Sequence, residues 1–466
     1  MYLNSPRDLR GLRVTIMGLG VHGGGLASAL YCLDMGAEVT ITDLGDSESL
    51  RASLLRLKDR PFRLVLGRHR REDFCETDLV IKNPGVPTDS PFLSIAREAQ
   101  VAVETDISVF LRLARNPMLA VTGTKGKSTT AAAIHHCLHE HLEDVRLAGN
   151  ISTSPLSFLP DLDPKVPVVL ELSSWQLGDL GDKPLLKPKV ALITNIFADH
   201  LNRYPSMQEY IADKRQVFRY QGTRDYTVFN YDDPNQSSFP AQTAARSRFF
   251  SAKKLPATAE GAWLVPDAGM ARIQASCFKI LDSELRVLGE HNRFNLLAGG
   301  LAALLYGIDA AAIRSSLATF SGLEHRLEYC GEVQGVRFYN DSAATVAEAT
   351  AQAVDSIAPP LSLVLGGTDK GLDFSALRHR AHVPQQLYLL AGSASKKIIS
   401  ILREEGVDYS GPFTNLKTAV SAAFSNARPG STVLFSPGCA SFEMFQNEFD
   451  RGNQYKDIVR RLEHQC

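Results

Sequence analysis

The sequence predicts an α/β protein of three successive domains, each built on a mostly parallel, doubly wound sheet. Three observations carry this. Short β-branched runs alternate with helical patterns along the chain, as parallel strands with crossover helices require. The 466 residues correspond to about three domains at roughly 150 residues each. Two glycine-rich turns fall where a strand gives way to a helix, and the alternation restarts near Ser321.

In the first unit, residues 12–17 read as a strand, 23–35 as a helix, and 38–42 and 78–81 as further strands. A strand at 118–122 opens the second unit and leads through a glycine-rich turn into an Ala-rich helix from about Ser128. Residues 166–170 and 190–194 are buried strands of that unit, and 207–220 is helical. Strands at 335–339, 361–365 and 432–435 belong to the third. The expected domain boundaries are therefore 1–105, 106–321 and 322–466.

Composition excludes several classes. Fifty basic against 51 acidic residues leave a net charge of −1, so no global field draws nucleic acid to the chain. Seven cysteines without a C-x-x-C pair fit free thiols in a reducing compartment. The longest apolar run, residues 296–308, falls short of the roughly 20 residues that span a bilayer. The N-terminus lacks the basic start, apolar stretch and small-residue cleavage site of a signal peptide. A cytoplasmic protein with no membrane insertion is expected.

The first glycine turn is Gly18-Leu-Gly20-Val21-His22-Gly23, with Asp43 ending the next strand. Such glycines let a backbone approach a phosphate at a helix N-terminus. Taken alone, the turn fits a nicotinamide or flavin site, or a tight turn without ligand. The second is Gly123-Thr124-Lys125-Gly126-Lys127-Ser128-Thr129. Its N–H groups can surround phosphate oxygens, Lys127 supplies a cation for the β- and γ-phosphates, and the Ser128 or Thr129 hydroxyl can reach Mg²⁺. It departs from the longer G-x-x-x-x-G-K-[ST] pattern, since Val121 stands five positions before Gly126. Downstream come Glu171 at a strand's carboxyl end, His200 after another, and Lys214 in a helix. Singly, each has an ordinary explanation: a helix cap, a hydrogen-bonded histidine, a solvated lysine. Their joint order is what speaks.

That order resembles the Mur ligase family. The carrying segments are Thr122-Gly-Thr-Lys-Gly-Lys-Ser-Thr, Glu171-Leu-Ser-Ser, Asp199-His200-Leu-Asn-Arg-Tyr and Tyr210-Ile-Ala-Asp-Lys214. Further along are His291-Asn292-Arg-Phe-Asn295, His325-Arg326, Asn340-Asp341-Ser342 and Ser436-Pro-Gly-Cys-Ala-Ser441-Phe442. The resemblance implies a Rossmann-like N-terminal domain, a central P-loop ATPase domain and a C-terminal Rossmann-like domain. It also implies an ATP-dependent ligase that joins glutamate, D-glutamate foremost, to UDP-N-acetylmuramoyl-L-alanine through an acyl phosphate. Carried over residue by residue, ATP meets Gly123 to Thr129, Asn295, Arg326 and Asp341. One Mg²⁺ sits on Ser128 or Thr129 with Glu171, and a second on His200 with Lys214, the latter N-carboxylated. Lys127, Glu171, His200 and Lys214 are the catalytic set. Gly18, Gly20, Val21, His22, Gly23 and Asn150 contact the UDP substrate, and Thr345, Lys370, Ser441 and Phe442 the amino acid. A monomer is expected.

Two positions depart from the family pattern. Ala343 stands where the family commonly has a lysine that helps hold glutamate, and Asp43-Leu44-Gly45 lacks the Thr-Arg often found near the nucleotide. L-glutamate or another amino acid, a folylpolyglutamate-synthase-like activity, a nicotinamide-dependent oxidoreductase and a non-catalytic UDP-sugar binder are the rival readings. His135 and His139 share helical i,i+4 spacing, but no glutamate completes an H-E-x-x-H pattern, so a packed or solvated helix face is the expectation.

Overall fold

The computed structural model describes residues 3–20, 23–151, 153–197, 204–378 and 380–464. Its strands form three sheets. The first joins β1 (Arg13–Met17), β2 (Glu38–Asp43), β3 (Arg63–Leu66), β4 (Leu79–Lys82) and β5 (Ala102–Thr105) in the order β3-β2-β1-β4-β5, every pair parallel. The order reverses between β1 and β4, so the first glycine turn leaves β1 at the switch point where doubly wound sheets place ligands.

The second sheet comprises β6 (Met118–Thr122), β7 (Arg146–Gly149), β8 (Val168–Glu171), β9 (Val190–Ile193), β10 (Tyr226–Asn230), β11 (Arg246–Ser251), β12 (Gly261–Val265), β13 (Ala268–Ile273) and β14 (Ser276–Asp282). Its order is β14-β13-β12-β11-β10-β9-β6-β8-β7, antiparallel only from β12 to β14. β6 is buried along its whole length between β8 and β9. The helix Lys127–His139 follows it. The third sheet holds β15 (Glu328–Val333), β16 (Val336–Asn340), β17 (Leu361–Leu365), β18 (Gln386–Leu390), β19 (Ser410–Phe413) and β20 (Thr432–Phe435), ordered β15-β16-β20-β17-β18-β19, with only β15–β16 antiparallel. The α/β class and the mostly parallel sheets agree with the sequence expectation.

The chain divides into two compact units. One is Met1–Ser283 with Phe294–Leu317, the other Glu284–Arg293 with Ala318–Cys466. The first two sheets share the first unit because one apolar core runs through both. It passes from Val14, Ile16 and Ile41 across Ile107 and Phe110 of the helix Asp106–Leu113 to Ala120 and Leu170. Nonpolar burial of this kind is the main favourable term in folding. The second unit has its own cores on the two faces of its sheet, one around Leu363, Leu387 and Leu434, the other around Phe338, Val433 and Phe435. Alternation along each strand assigns those residues to opposite faces.

The first eleven residues of the 13-residue apolar run lie in the helix Glu290–Tyr306, where Leu296 to Ala303 are buried. No helix among the described residues is long and apolar enough to cross a membrane.

Candidate active site

β6 pairs with β9 so that Thr122 lies opposite Ile193, and the chain leaves both strands at the same carboxyl edge. The loop after β6 is squeezed from two sides. Gly123 adopts φ +145°, and a Cβ there would overlap the Thr194 hydroxyl; Gly126 adopts φ +82°, and a Cβ there would overlap the Asn295 side chain. Both positions require glycine on sterics as well as on backbone. The loop is also held from outside. The Thr194 hydroxyl donates to the Lys125 carbonyl at 2.6 Å. The Lys125 N–H donates to Asn195 Oδ1 at 2.9 Å, and Asn195 Nδ2 donates back to the Lys125 carbonyl at 3.1 Å. A pinned, glycine-turned loop at a helix N-terminus is a preformed anion cradle. Lys127 opens the helix and donates from Nζ to the Thr124 carbonyl at 2.9 Å. Ser128 and Thr129 follow in the first turn, half-buried.

Beside the loop, Glu171 ends β8 opposite Val121 and is fully buried. Its Oε1 accepts from Asn150 Nδ2 at 2.9 Å, while Oε2 has no hydrogen-bond partner among the described residues. A buried carboxylate oxygen left without a donor is costly unless something else fills it. A divalent cation, which takes oxygen ligands, fits that vacancy of bonding. Lys214, on the helix Met207–Arg215, is buried and donates to the Gly123 carbonyl at 2.8 Å. Its Nζ stands 4.4 Å above the Tyr210 ring, whose hydroxyl lies 3.0 Å from Thr124 Oγ1. The lysine expected to be a solvated helix residue on its own is thus turned inward onto the phosphate loop. Asp199 and His200 lie outside the described residues. Among the described residues no three His, Cys, Asp or Glu cluster as a metal site. His135 and His139 stack on one another, and His135 Nε2 lies 3.2 Å from the Val145 carbonyl, the packed helix face the spacing suggested.

At the first turn, Gly18, Gly20 and Gly23 all have positive φ; Val21 and His22 lie outside the described residues. Asp43 Oδ2 accepts from the N–H groups of Leu19 (2.8 Å) and Gly20 (3.1 Å), and Oδ1 from that of Gly45 (2.7 Å). In a dinucleotide fold this acid holds a ribose hydroxyl; here the carboxylate also braces the turn itself. A cavity of about 420 Å³ opens beside it, lined among others by Gly18, Leu44, His69, Val86, Pro87 and Phe92. From β4, the buried Lys82 pairs with the buried Asp179 at 2.7 Å, and Ser154 donates to Asp106 at 2.7 Å. These contacts tie the first sheet to the segment that follows Asn150 and to the helix Ser174–Gly178, which abuts the helix of Lys214 at Gly178 and Asp213.

In the second unit, Asp341 is buried and accepts from Ser436 Oγ at 2.6 Å and from the Leu327 N–H at 3.1 Å. Burial pushes its carboxyl up to about 7, against the lowering effect of Ser436. Arg326 is exposed between His325 (φ +62°) and Leu327 (φ +44°), a left-handed conformation that side chains seldom adopt outside functional or tightly held segments. The segments 366–371 and 438–443 bond through Thr368 and Ala440, in both directions at 3.0 and 3.1 Å. This sets Lys370 Nζ 4.2 Å over the Phe442 ring, next in sequence to the buried Ser441. Thr345 is half-buried.

Three family models match the chain: the MurD-like N-terminal domain of Mur ligases over residues 12–105, the Mur ligase middle domain over 121–303, and the glutamate ligase domain of Mur ligases over 325–439. The chain is 41% identical over 465 residues to a UDP-N-acetylmuramoylalanine–D-glutamate ligase of Roseiflexus sp. (strain RS-1), covering 97% of this chain and 99% of that one. It is 38% identical to the enzyme of the same name from Treponema pallidum (strain Nichols), covering 97% and 98%. The chain belongs to the Mur ligase family. Its fold is shared with UDP-N-acetylmuramate-alanine ligase MurC from Thermotoga maritima (20% identity, TM-score 0.57, 98% of this chain and 100% of that one). It is shared too with MurF ligase from the same organism, solved with ADP (16% identity, TM-score 0.51, 100% and 98%).

Within this Mur ligase several structural groups lie outside the motifs. Arg451 is fully buried and donates to Ser342 Oγ (3.0 Å), the Ser342 carbonyl (2.8 Å) and the Cys439 carbonyl (2.9 Å). Burial pulls its guanidinium down to about 10. Lys82, Asp179 and Asn195 likewise stand beside motif residues. No local signal marks them, because each acts through a partner far away in sequence.

Proposed function

We propose that the chain is an ATP-dependent ligase that joins D-glutamate to UDP-N-acetylmuramoyl-L-alanine in peptidoglycan precursor synthesis. The observation that carries the reading is the convergence of Lys127, Glu171 and Lys214 around a phosphate loop in a chain nearly co-extensive with relatives named as D-glutamate ligases. Three functional domains, 1–105, 106–321 and 322–466, would divide the work among UDP anchoring, ATP chemistry and amino-acid delivery.

The reaction makes two exchanges. The alanyl carboxylate oxygen bonds to the γ-phosphorus of ATP as the β–γ bridge breaks, giving an acyl phosphate and ADP. The amino group of D-glutamate then bonds to the acyl carbon, loses a proton, and inorganic phosphate departs. Negative charge moves between oxygens in both steps, so fixed cations and N–H donors do most of the work. Gly123 to Ser128 offer backbone donors to the phosphates, and Lys127, released from the Thr124 carbonyl, neutralises the β- and γ-oxygens. Asn150 holds Glu171 in place and meets the muramoyl substrate. Glu171, with Ser128 or Thr129, would hold one Mg²⁺, and His200 with N-carboxylated Lys214 a second; such ions supply Lewis-acid stabilisation of phosphoryl oxygens. Carboxylation would replace the Lys214 cation by an anion, which lets that side chain share a site with Mg²⁺ without charge repulsion. Asn295, Arg326 and Asp341 serve the nucleotide. Lys370, Ser441, Phe442 and Thr345 serve the glutamate. The glycine turn Gly18 to Gly23 takes the UDP diphosphate, and with every family model and named relative on the ligase side the oxidoreductase reading has no support here. The protein acts in the cytoplasm as a monomer.

The test is phosphate release from ATP with UDP-N-acetylmuramoyl-L-alanine and a panel of amino acids. Release with D-glutamate is expected. No release with any amino acid overturns the ligase; release with L- but not D-glutamate overturns the stereochemical part.

A further inference from the structure

We infer that Lys456 is a positioning residue for Arg326: with Phe449 and Gly452 on the same face of the helix Glu448–Glu463, it locks the turn that carries that arginine. The inference rests on the proposed nucleotide role of Arg326 and adds a residue that no motif marks. The turn is not one the chain adopts without help. The Arg326 N–H donates to the Leu323 carbonyl at 3.1 Å, closing a four-residue turn whose third residue, His325, has φ +62°; Leu327 follows at φ +44°. Glycine takes such angles at little cost, whereas a histidine and a leucine take them only where their surroundings impose it. Part of the constraint comes from the third sheet and the loop after β16. The His325 N–H donates to Glu328 Oε2 at 2.8 Å and the Leu327 N–H to Asp341 at 3.1 Å, while the His325 carbonyl accepts from the Ala343 N–H at 2.9 Å.

The rest comes from the helix. Residues 449, 452 and 456 are three and four apart, so they share one helix face. The Phe449 ring meets that of His325 edge-on at 5.7 Å. At Gly452 the imidazole comes so close that a Cβ would stand 2.1 Å from its Nδ1; the absent side chain is the notch that receives the ring. One turn further on, Lys456 Nζ reaches Glu324 at 2.5 Å and Glu328 at 3.3 Å, the two acids that flank His325, Arg326 and Leu327. The side chains of Lys456 and Glu328 are each 14% exposed. Burial works against the Lys456 charge, but the two carboxylates outweigh it and raise its pKa above the ordinary value. One of those acids already grips the His325 N–H, so a single ammonium braces both ends of the turn. The Arg326 side chain stays exposed while the backbone on either side of it is fixed. A cation presented in this way loses less freedom on meeting a phosphate than a mobile one.

The test is steady-state phosphate release by the full chain, with ATP varied and the other substrates saturating. Lys456→Met should lower kcat/KM for ATP about 10-fold, within what a small misplacement of a binding group costs, while KM for the UDP substrate stays within about 2-fold of wild type. Lys456→Arg keeps the cation and should recover most of the loss. Glu324→Gln, at a side chain 69% exposed, leaves the core untouched and should lose about 2–5-fold, as for a surface ion pair. The deciding measurement is the double variant. If Lys456 acts through Arg326, then in an Arg326→Ala background Lys456→Met should cost less than about 2-fold more. A Lys456→Met enzyme with wild-type ATP kinetics, or an equal loss in both backgrounds, overturns the inference and leaves the proposed function standing. Wild-type ATP kinetics in Arg326→Ala would remove the nucleotide role of Arg326 and the inference with it. Absence of phosphate release from the wild type with any amino acid would overturn the proposed function itself.

Discussion

The buried pair Lys82–Asp179 offers a quantitative test of how the first and second sheets of the first unit are joined. Lys82 ends β4, next to Asn83, whose side chain packs against Gly18 and Gly20; Asp179 caps the helix Ser174–Gly178. That helix touches the helix of Lys214 so closely that a Cβ on Gly178 would overlap the Asp213 carboxylate. The charged side chains are 5% and 4% exposed and 2.7 Å apart, and Lys82 Nζ also donates to the Val86 carbonyl at 3.2 Å. Burial raises the Asp179 carboxyl, and Lys82 is the largest influence that lowers it again. Lys82→Met therefore strands a buried carboxylate and should cost about 3–5 kcal/mol; Asp179→Leu strands the ammonium at a similar cost. The double variant has no charge to strand and should lose no more than about 1–2 kcal/mol, because apolar replacement of a whole buried pair is often near neutral. The coupling energy should thus be several kcal/mol, far above the ~0.5 kcal/mol typical of independent sites. Urea denaturation of the four proteins, followed by circular dichroism, measures it. If the double variant is as unstable as the sum of the singles, the pair is not what joins β4 to the helix before Lys214. If Lys82→Met stays within about 0.5 kcal/mol of wild type, the buried-charge reasoning itself fails.

Three other outcomes are expected. Gly123→Ala places a methyl on the Thr194 hydroxyl at a φ of +145°, displacing the bond that pins the Lys125 carbonyl. kcat/KM for ATP should fall about 100-fold or more, as for loss of a preorganised donor set, and steady-state kinetics would show it. Lys214→Ala should lose turnover by about 100-fold, with partial recovery on adding short-chain carboxylic acids; activity near wild type would make Lys214 a packing residue only. Asp341, raised to about 7 from an unfolded value near 3.9, contributes stability that is complete below about pH 4 and is lost as pH rises through about 7. The total is on the order of 4 kcal/mol. Asp341→Asn should remove that slope, read as urea midpoints between pH 4 and 8 that no longer fall as the pH is raised.

The phosphate loop was legible because its signals are local. β6 runs from Met118 to Thr122, as expected, since a fully apolar run there is bounded by Pro117 and Gly123. The strands β10 to β14 were not anticipated. Arg246–Ser251 carries two arginines, and Ser276–Asp282 is exposed over its first four residues, so neither shows an unbroken apolar run or clean alternation. The helix over 207–220 ends instead at Arg215. Both β8 and β16 reach one residue further than expected, to Glu171 and Asn340, which makes those side chains strand-end groups fixed by neighbouring strands rather than loop residues. The structure brings Lys127 and Lys214 onto one loop, Glu171 onto Asn150, and Lys370 onto Phe442. It leaves Asp43 occupied with its own turn.

The departure at Ala343 shows what motif reading omits. A missing lysine matters only if no other element supplies the cation, and that depends on contacts between segments far apart in sequence. Arg451 lies one residue away in space, bound to both the hydroxyl and the carbonyl of Ser342. It is no substitute, because its guanidinium is buried and engaged with the 342 and 439 backbone. What it does is lock the turn after Asp341 to the segment that leads into Ser441. Lys370 is different. Its turn is set by Asp369, whose carboxylate accepts from the N–H groups of Gly371 and Leu372 at 2.9 Å and pairs with Lys397 at 2.7 Å. On the proposed reading, recognition of a glutamate carboxylate passes to this one pre-set lysine over Phe442. An ammonium held in place loses little entropy on binding, so a single positioned cation can carry what two mobile ones would share.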